Sequence, residues 1–136
     1  MSPHVSSMLE TYPGGIGDID AQKLAACIEA CLECAQTCTA CADACLAEDM
    51  VADLRQCIRL NLDCADICAA TAAVLSRQTG TDVAVERALL EACRAACAAC
   101  AEECESHAGM HEHCRVCAEA CRACEQACTE LLAALA

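Results

Sequence analysis

Cysteine is the residue type here that can do chemistry, and it recurs at a fixed step. The chain holds eighteen cysteines in 136 residues. In the first cluster Cys27, Cys31, Cys34, Cys38, Cys41 and Cys45 are separated by 4, 3, 4, 3 and 4 positions. Alternating steps of three and four average 3.5, the period of one stripe along an α-helix. Cys57, Cys64 and Cys68 form a sparser second set. Cys93, Cys97, Cys100 and Cys104 form the third, and Cys114, Cys117, Cys121, Cys124 and Cys128 the fourth. Thiols at i,i+3 or i,i+4 share one helix face, with Cβ atoms about 5–6 Å apart. The chain has five CxxC and eight CxxxC pairs. Four such stripes facing inward make a thiol-lined interior, which suits a soft metal.

Two thiolates can hold one ion between them in a near-linear arrangement. Cu(I) is soft and accepts two or three thiolates. Zn²⁺ asks for four ligands in a tetrahedron, and a continuous sulfur column does not divide into separate tetrahedra. Iron–sulfur clusters also use CxxC spacing but wrap loops around the cluster. Buried charge favours many ions over few. Uncompensated buried thiolates are prohibitive, so the metal-free core holds mostly protonated thiols, and each entering Cu(I) displaces a proton. Neutrality is reached near one Cu(I) per thiolate, a stoichiometry on the order of one ion per cysteine. Cysteines acting as small core hydrophobes would account for one or two of them, not for eighteen on a repeating face.

Other ligand types gather at one place. His107, His111 and His113 are three of the chain's four histidines, and Met110 lies among them. Imidazole and thioether are metal ligands of intermediate and soft character, so this cluster reads as an entry for metal, with Met50 at the same end. Asn61 falls four after Cys57 and three before Cys64. It therefore takes an inward slot, either as a buried polar residue fixing register or as an oxygen contacting metal or thiolate.

The elements that must position these groups are helices. Alanine is abundant and β-branched residues are scarce across the cysteine segments, which favours helix. Residues 1–19 carry Pro3, Pro13, Gly14, Gly15 and Gly17 and read as an irregular arm ahead of a bundle domain over 20–136. Asp18 or Asp20 caps a helix over about 21–47. A break at 48–50 precedes a second helix over about 51–77. In the loop 78–82, Gly80 suits a C-cap and Asp82 an N-cap. A third helix spans about 83–107, Ala108-Gly109-Met110 turns the chain, and a fourth spans about 111–135. Short links make neighbours antiparallel, so the expected fold is all-α, an up-down-up-down four-helix bundle with a cysteine-lined core. Extending the stripes past the cysteines reaches Leu24, Leu75, Leu89 and Leu131, which share one end as an apolar plug aided by Leu90, Leu132 and Leu135. The histidine cluster takes the opposite end.

Composition narrows the function. Net charge is −13, which argues against nucleic acid or an anionic membrane as partner. The N-terminal stretch shows no signal-peptide pattern, and no segment is read as apolar and long enough to span a bilayer. The expected location is cytoplasmic, where thiols stay reduced and dense cysteine means metal or redox chemistry rather than disulfides. With one Tyr and no Phe or Trp, alanine, leucine and cysteine must fill the interior.

The runs CIEACLECAQTCTACADAC, CIRLNLDCADIC, CRAACAACAEECESH and HCRVCAEACRACEQAC resemble the bacterial copper storage proteins, cysteine-lined four-helix bundles, over residues 21–135. The absence of a signal peptide resembles the cytosolic branch. The resemblance implies storage of many Cu(I) ions without catalysis, metal binding at all eighteen cysteines, entry at His107, Met110, His111 and His113, a role for Asn61, and homotetramers. A copper chaperone or exporter is a possible partner. The alternatives are an iron–sulfur electron carrier, sequestration of Zn or Ag, and a thiol redox protein. The last needs exposed cysteines of low pKa, whereas these are expected to face inward.

Overall fold

The computed structural model describes residues 3–135. Its helices are α1 (Pro3–Glu10), α2 (Ala21–Leu46), α3 (Arg55–Leu75), α4 (Val83–His107) and α5 (Glu112–Ala134), with a 3₁₀ turn over Val51–Leu54 ahead of α3. The four long helices form the antiparallel bundle expected from the sequence. Each of α2 and α4 packs against both α3 and α5, while the diagonal pairs α2/α4 and α3/α5 make no close backbone approach. The central axis is thus left to side chains.

The helix starts follow local chemistry. Asp20 is the N-cap of α2, its carboxylate accepting from the Lys23 amide at 3.1 Å. Asp82 caps α4, accepting from Ala84 N at 3.0 Å and Val85 N at 3.2 Å. Such caps satisfy amides that the first helical turn leaves without partners. Gly80 does not serve as a left-handed C-cap. The C-cap of α3 is Ser76 in right-handed helical geometry, and among the described residues positive φ is confined to Gly14, Gly15 and Gly17.

The N-terminal arm is not irregular throughout. Pro3–Glu10 is helical, with Pro3 at a first-turn position where its missing N–H costs nothing. Leu9 is buried in the bundle's core cluster, α1 packs on α2, and the Tyr12 hydroxyl donates to Thr79 Oγ1 at 3.4 Å. Gly14, Gly15 and Gly17, at φ of 77–83°, then turn the chain through a region that only glycine enters without strain.

Two further expectations change. The second bundle helix begins at Arg55, not near Val51, because 51–54 winds as 3₁₀. By length and composition α2 is apolar enough to cross a membrane, so the expectation that no segment qualifies does not hold. That apolarity comes from cysteine, alanine and leucine, and ten of its residues, six of them cysteines, are buried inside the bundle.

The plug end is built largely as expected. Leu24, Leu75, Leu90 and Leu131 are at most 1% exposed. Leu89 is only partly buried; Leu90, three before Cys93, takes the inward slot. Leu135 lies at the margin of the core cluster. Thr71 and Glu86, which the stripe argument overlooked, are also buried here. Thr71 donates its hydroxyl to Ile67 O at 2.7 Å. Burial, and then the nearby Asp82 charge, push the Glu86 carboxyl up from its ordinary range.

Candidate metal centre

All eighteen cysteines are free thiols and all are buried. Their sulfurs form a continuous column. At the plug end Cys27 lies 3.9 Å from Cys128. Next, Cys31 is 3.9 Å from Cys93 and 3.7 Å from Cys124, and Cys68 is 3.7 Å from Cys93 and 3.6 Å from Cys97. Midway, Cys34 reaches Cys121 at 3.8 Å, and Cys38 reaches Cys121 at 3.5 Å and Cys117 at 3.7 Å. Toward the far end Cys57 faces Cys104 at 3.8 Å.

Four-sulfur groups along this column share corners. Cys31, Cys93, Cys124 and Cys128 form one; Cys34, Cys68, Cys97 and Cys124 the next; Cys34, Cys38, Cys64 and Cys121 a third; Cys38, Cys100, Cys117 and Cys121 a fourth. Cys124, Cys34, and the pair Cys38 and Cys121 link successive groups. With metal–sulfur bonds of about 2.3 Å, three-coordinate thiolates sit about 4.0 Å apart. The spacing observed is near that value. Corner sharing also suits bridging sulfur. A divalent ion given four thiolates of its own would bury two negative charges per site, whereas one monovalent ion per thiolate leaves the core neutral.

Asn61 is fully buried in the column. Its Nδ2 donates to the Cys57 carbonyl at 2.8 Å. Its Oδ1 accepts from the Cys117 thiol at 2.9 Å and the Cys100 thiol at 3.2 Å. The amide thus links α3 to α4 and α5.

The far end is lined by imidazole and carboxylate. His113 Nδ1 lies 3.4 Å from Cys41 Sγ and 3.6 Å from Cys114 Sγ, and Cys41, Cys45, His113 and Cys114 form a mixed nitrogen–sulfur group. Glu48 Oε2 lies 2.8 Å from His113 Nε2 and 3.0 Å from His111 Nδ1. The two rings stack, centroids 5.6 Å apart. His107 Nε2 lies 2.8 Å from Glu103 Oε2. The hydrogen bond with His113, with the fields of both rings, holds the Glu48 carboxyl below its ordinary range. Burial pushes the Cys45 thiol up to about 11, with the Cys57 charge adding to it. Burial likewise raises Cys114. Burial thus favours the protonated form of both Cys45 and Cys114.

The sequence model of the copper storage proteins matches residues 20–133. The chain belongs to the copper storage protein family. Ccsp of Streptomyces lividans, in a structure loaded with 10 copper equivalents, is 66% identical with a TM-score of 0.95, over 96% of this chain and 99% of that one. A five-copper form of the cytosolic storage protein from the same organism is 70% identical with a TM-score of 0.83, over 85% of this chain and 96% of that one. Cu(I)-bound copper storage protein 3 of Bacillus subtilis is 37% identical with a TM-score of 0.72, over 85% of this chain and all of that one. No curated protein matches.

Within this family member, the sequence-derived residues do not all converge. The cysteines, Asn61 and His113 meet in the column. His107 and His111 stand beside its end on carboxylates, not on sulfur. Met110 is 71% exposed and Met50 49%, so neither is part of the buried cluster. The end is not free of apolar cover either, because Leu54, three before Cys57, is buried to 1% exposure. Glu48 and Glu103 were missed. Glu48 is three after Cys45 and so continues the α2 stripe by one step, and Glu103 is four before His107; the spacing that found the cysteines finds both.

Proposed function

We propose that this copper storage protein holds its cargo as Cu(I) on the thiolates of all eighteen cysteines, to about one ion per sulfur, admits it past His113, Cys41 and Cys114, and performs no catalysis. The observation that carries this reading is the corner-shared sulfur column, bordered by imidazole and carboxylate at one end and closed by leucine at the other. Each thiol that takes a Cu(I) releases its proton to solvent, and sulfur bridging lets an ion move to the next group without ever leaving thiolate. The Streptomyces lividans relatives, one loaded with 10 copper equivalents and one a cytosolic storage protein holding five coppers, support the same cargo and a cytosolic location. Assembly into homotetramers and exchange with a chaperone or exporter complete the proposal; the chain's acidity suits a cationic cargo.

Direction of filling is tested by the rate of uptake. Cys41→Ser with Cys114→Ser, at the imidazole end, slows the first phase of Cu(I) loading in stopped-flow mixing. Cys27→Ser, beside the leucines, leaves that phase unchanged. Equal slowing by both, or slowing by Cys27→Ser alone, would contradict entry at the imidazole end.

A further inference from the structure

Residues 3–24 cover the leucine end of the column as one contiguous stretch, and they hold to the bundle lightly. Helix α1 is eight residues long, too short to keep its shape without support. Among the described helices it packs on α2 alone, and of its described side chains only Leu9 is buried. Clefts flank it on both sides. One of about 430 Å³ lies between Leu9, Ile16 and Ala21, and one of about 650 Å³ between Leu9, Leu32 and Gly80. Ala25 and Ile28, beside α1, are 8% and 2% exposed, whereas Leu32, one turn further on, is 47% exposed. The cover that α1 gives α2 is therefore local.

The connection to α2 is built to turn. Gly14, Gly15 and Gly17 hold φ of 77–83°, and a Cβ at any of them would meet nothing within 4 Å. Ile16 and Ile19 lie partly buried against the core. Leu24, the fourth residue of α2, belongs to the leucine plug. Three positions later comes Cys27, which ends the sulfur column with Cys128 at 3.9 Å. Segments with few buried contacts open locally at free energies below that of global unfolding.

We propose that residues 3–24 form a hinged latch, and that its opening is the route by which copper leaves, taken from Cys27 and Cys128 by a small diffusible Cu(I) ligand. Opening parts only Leu9, Ile16, Ile19 and Leu24 from apolar contact and frays the first turn of α2. The later cysteines of α2 lie further along a helix held on both sides by α3 and α5. The step is ligand exchange without electron transfer. Copper bonds to the incoming donor atom, its bond to the cysteine sulfur breaks, and that sulfur takes a proton from solvent. Uptake and release then use opposite ends of the bundle. The proposal rests on the storage reading for its cargo; the latch is a property of the metal-free chain.

The test mixes fully Cu(I)-loaded protein with excess bathocuproine disulfonate and follows its coloured Cu(I) complex. Leu9→Ala releases copper about 10–100-fold faster, the rise in open population expected from losing a leucine's packing at the margin of a core. Gly15→Ala also speeds release, because an L side chain at a φ of 80° strains the closed turn. Met8→Ala, at a side chain 69% exposed on the same helix, leaves the rate as in wild type. None of the three alters the first phase of Cu(I) loading. Hydrogen exchange of the metal-free protein reads the latch without cargo. Amides of residues 25–28 exchange faster than those at the centre of α2 in wild type, and faster still in Leu9→Ala. Wild-type release by both Leu9→Ala and Gly15→Ala overturns the proposal, as does equal acceleration by Met8→Ala. Exchange at 25–28 that Leu9→Ala leaves unchanged also overturns it. Should Leu9→Ala fail to fold, Gly15→Ala and the wild-type exchange pattern decide. A low total copper capacity would count against storage and leave the exchange test of the latch standing.

Discussion

Asn61 accepts thiol protons from Cys100 and Cys117 while donating to the Cys57 carbonyl. Replacing it by alanine strands two thiol donors in a site closed to water. Asn61→Ala lowers the stability of the metal-free protein by about 1–3 kcal/mol, read as a shift in denaturation midpoint. Glu86 is the other costly polar residue. Its carboxyl is pushed upward by burial first and Asp82 second, so the folded state holds its proton more tightly than the unfolded chain. The sign follows from linkage: the penalty is absent below the ordinary carboxylate range and present once pH exceeds the raised value. Glu86→Gln therefore stabilises the protein at neutral pH, and the gain over wild type disappears in acid. Denaturation of both proteins at the two pH values checks this; equal stability at neutral pH contradicts it.

The helices show which structural features spacing can reveal. Asp82 is the N-cap of α4, and Asp82→Ala costs about 1 kcal/mol in thermal or chemical unfolding. Its role was legible because an Asp ahead of an apolar-periodic run has one common use. The start and end of α4 fall where the sequence places them for the same reason. Gly80 misled because α3 ends in right-handed geometry at Ser76, before the glycine is reached. The 3₁₀ turn over Val51–Leu54 escaped notice since its residues continue the helical pattern; only hydrogen bonding distinguishes the two. Helix α1 was hidden by Pro3 and the later glycines, although Pro3 starts a helix rather than breaking one. The cysteine stripes were fully legible because 3.5-residue spacing fixes which face each occupies. Leu89 was misplaced since both three and four residues before Cys93 satisfy that spacing. Glu48 lay on the same stripe but beyond the last cysteine, where the chain was expected to have left the helix.

On the scale of the molecule, an apolar plug at one end lets the bundle fold before cargo arrives. Leu131 is fully buried there, and Leu131→Ala destabilises the metal-free protein by about 2–5 kcal/mol through lost burial and a cavity. Far-UV circular dichroism of the metal-free chain shows strong helix; a largely unfolded spectrum would mean that metal, not leucine, drives folding. Loading a preformed column then exchanges protons for copper at about one to one. The central claim is that all the sulfurs act as one store, and the direct measurement is the count of metal ions per monomer, with the metal identified, on titration with Cu(I) against a specific chelator. The account predicts saturation close to the number of cysteines, eighteen, with copper as the metal. Saturation at or below about four ions, the number that isolated four-thiolate sites would permit, contradicts it.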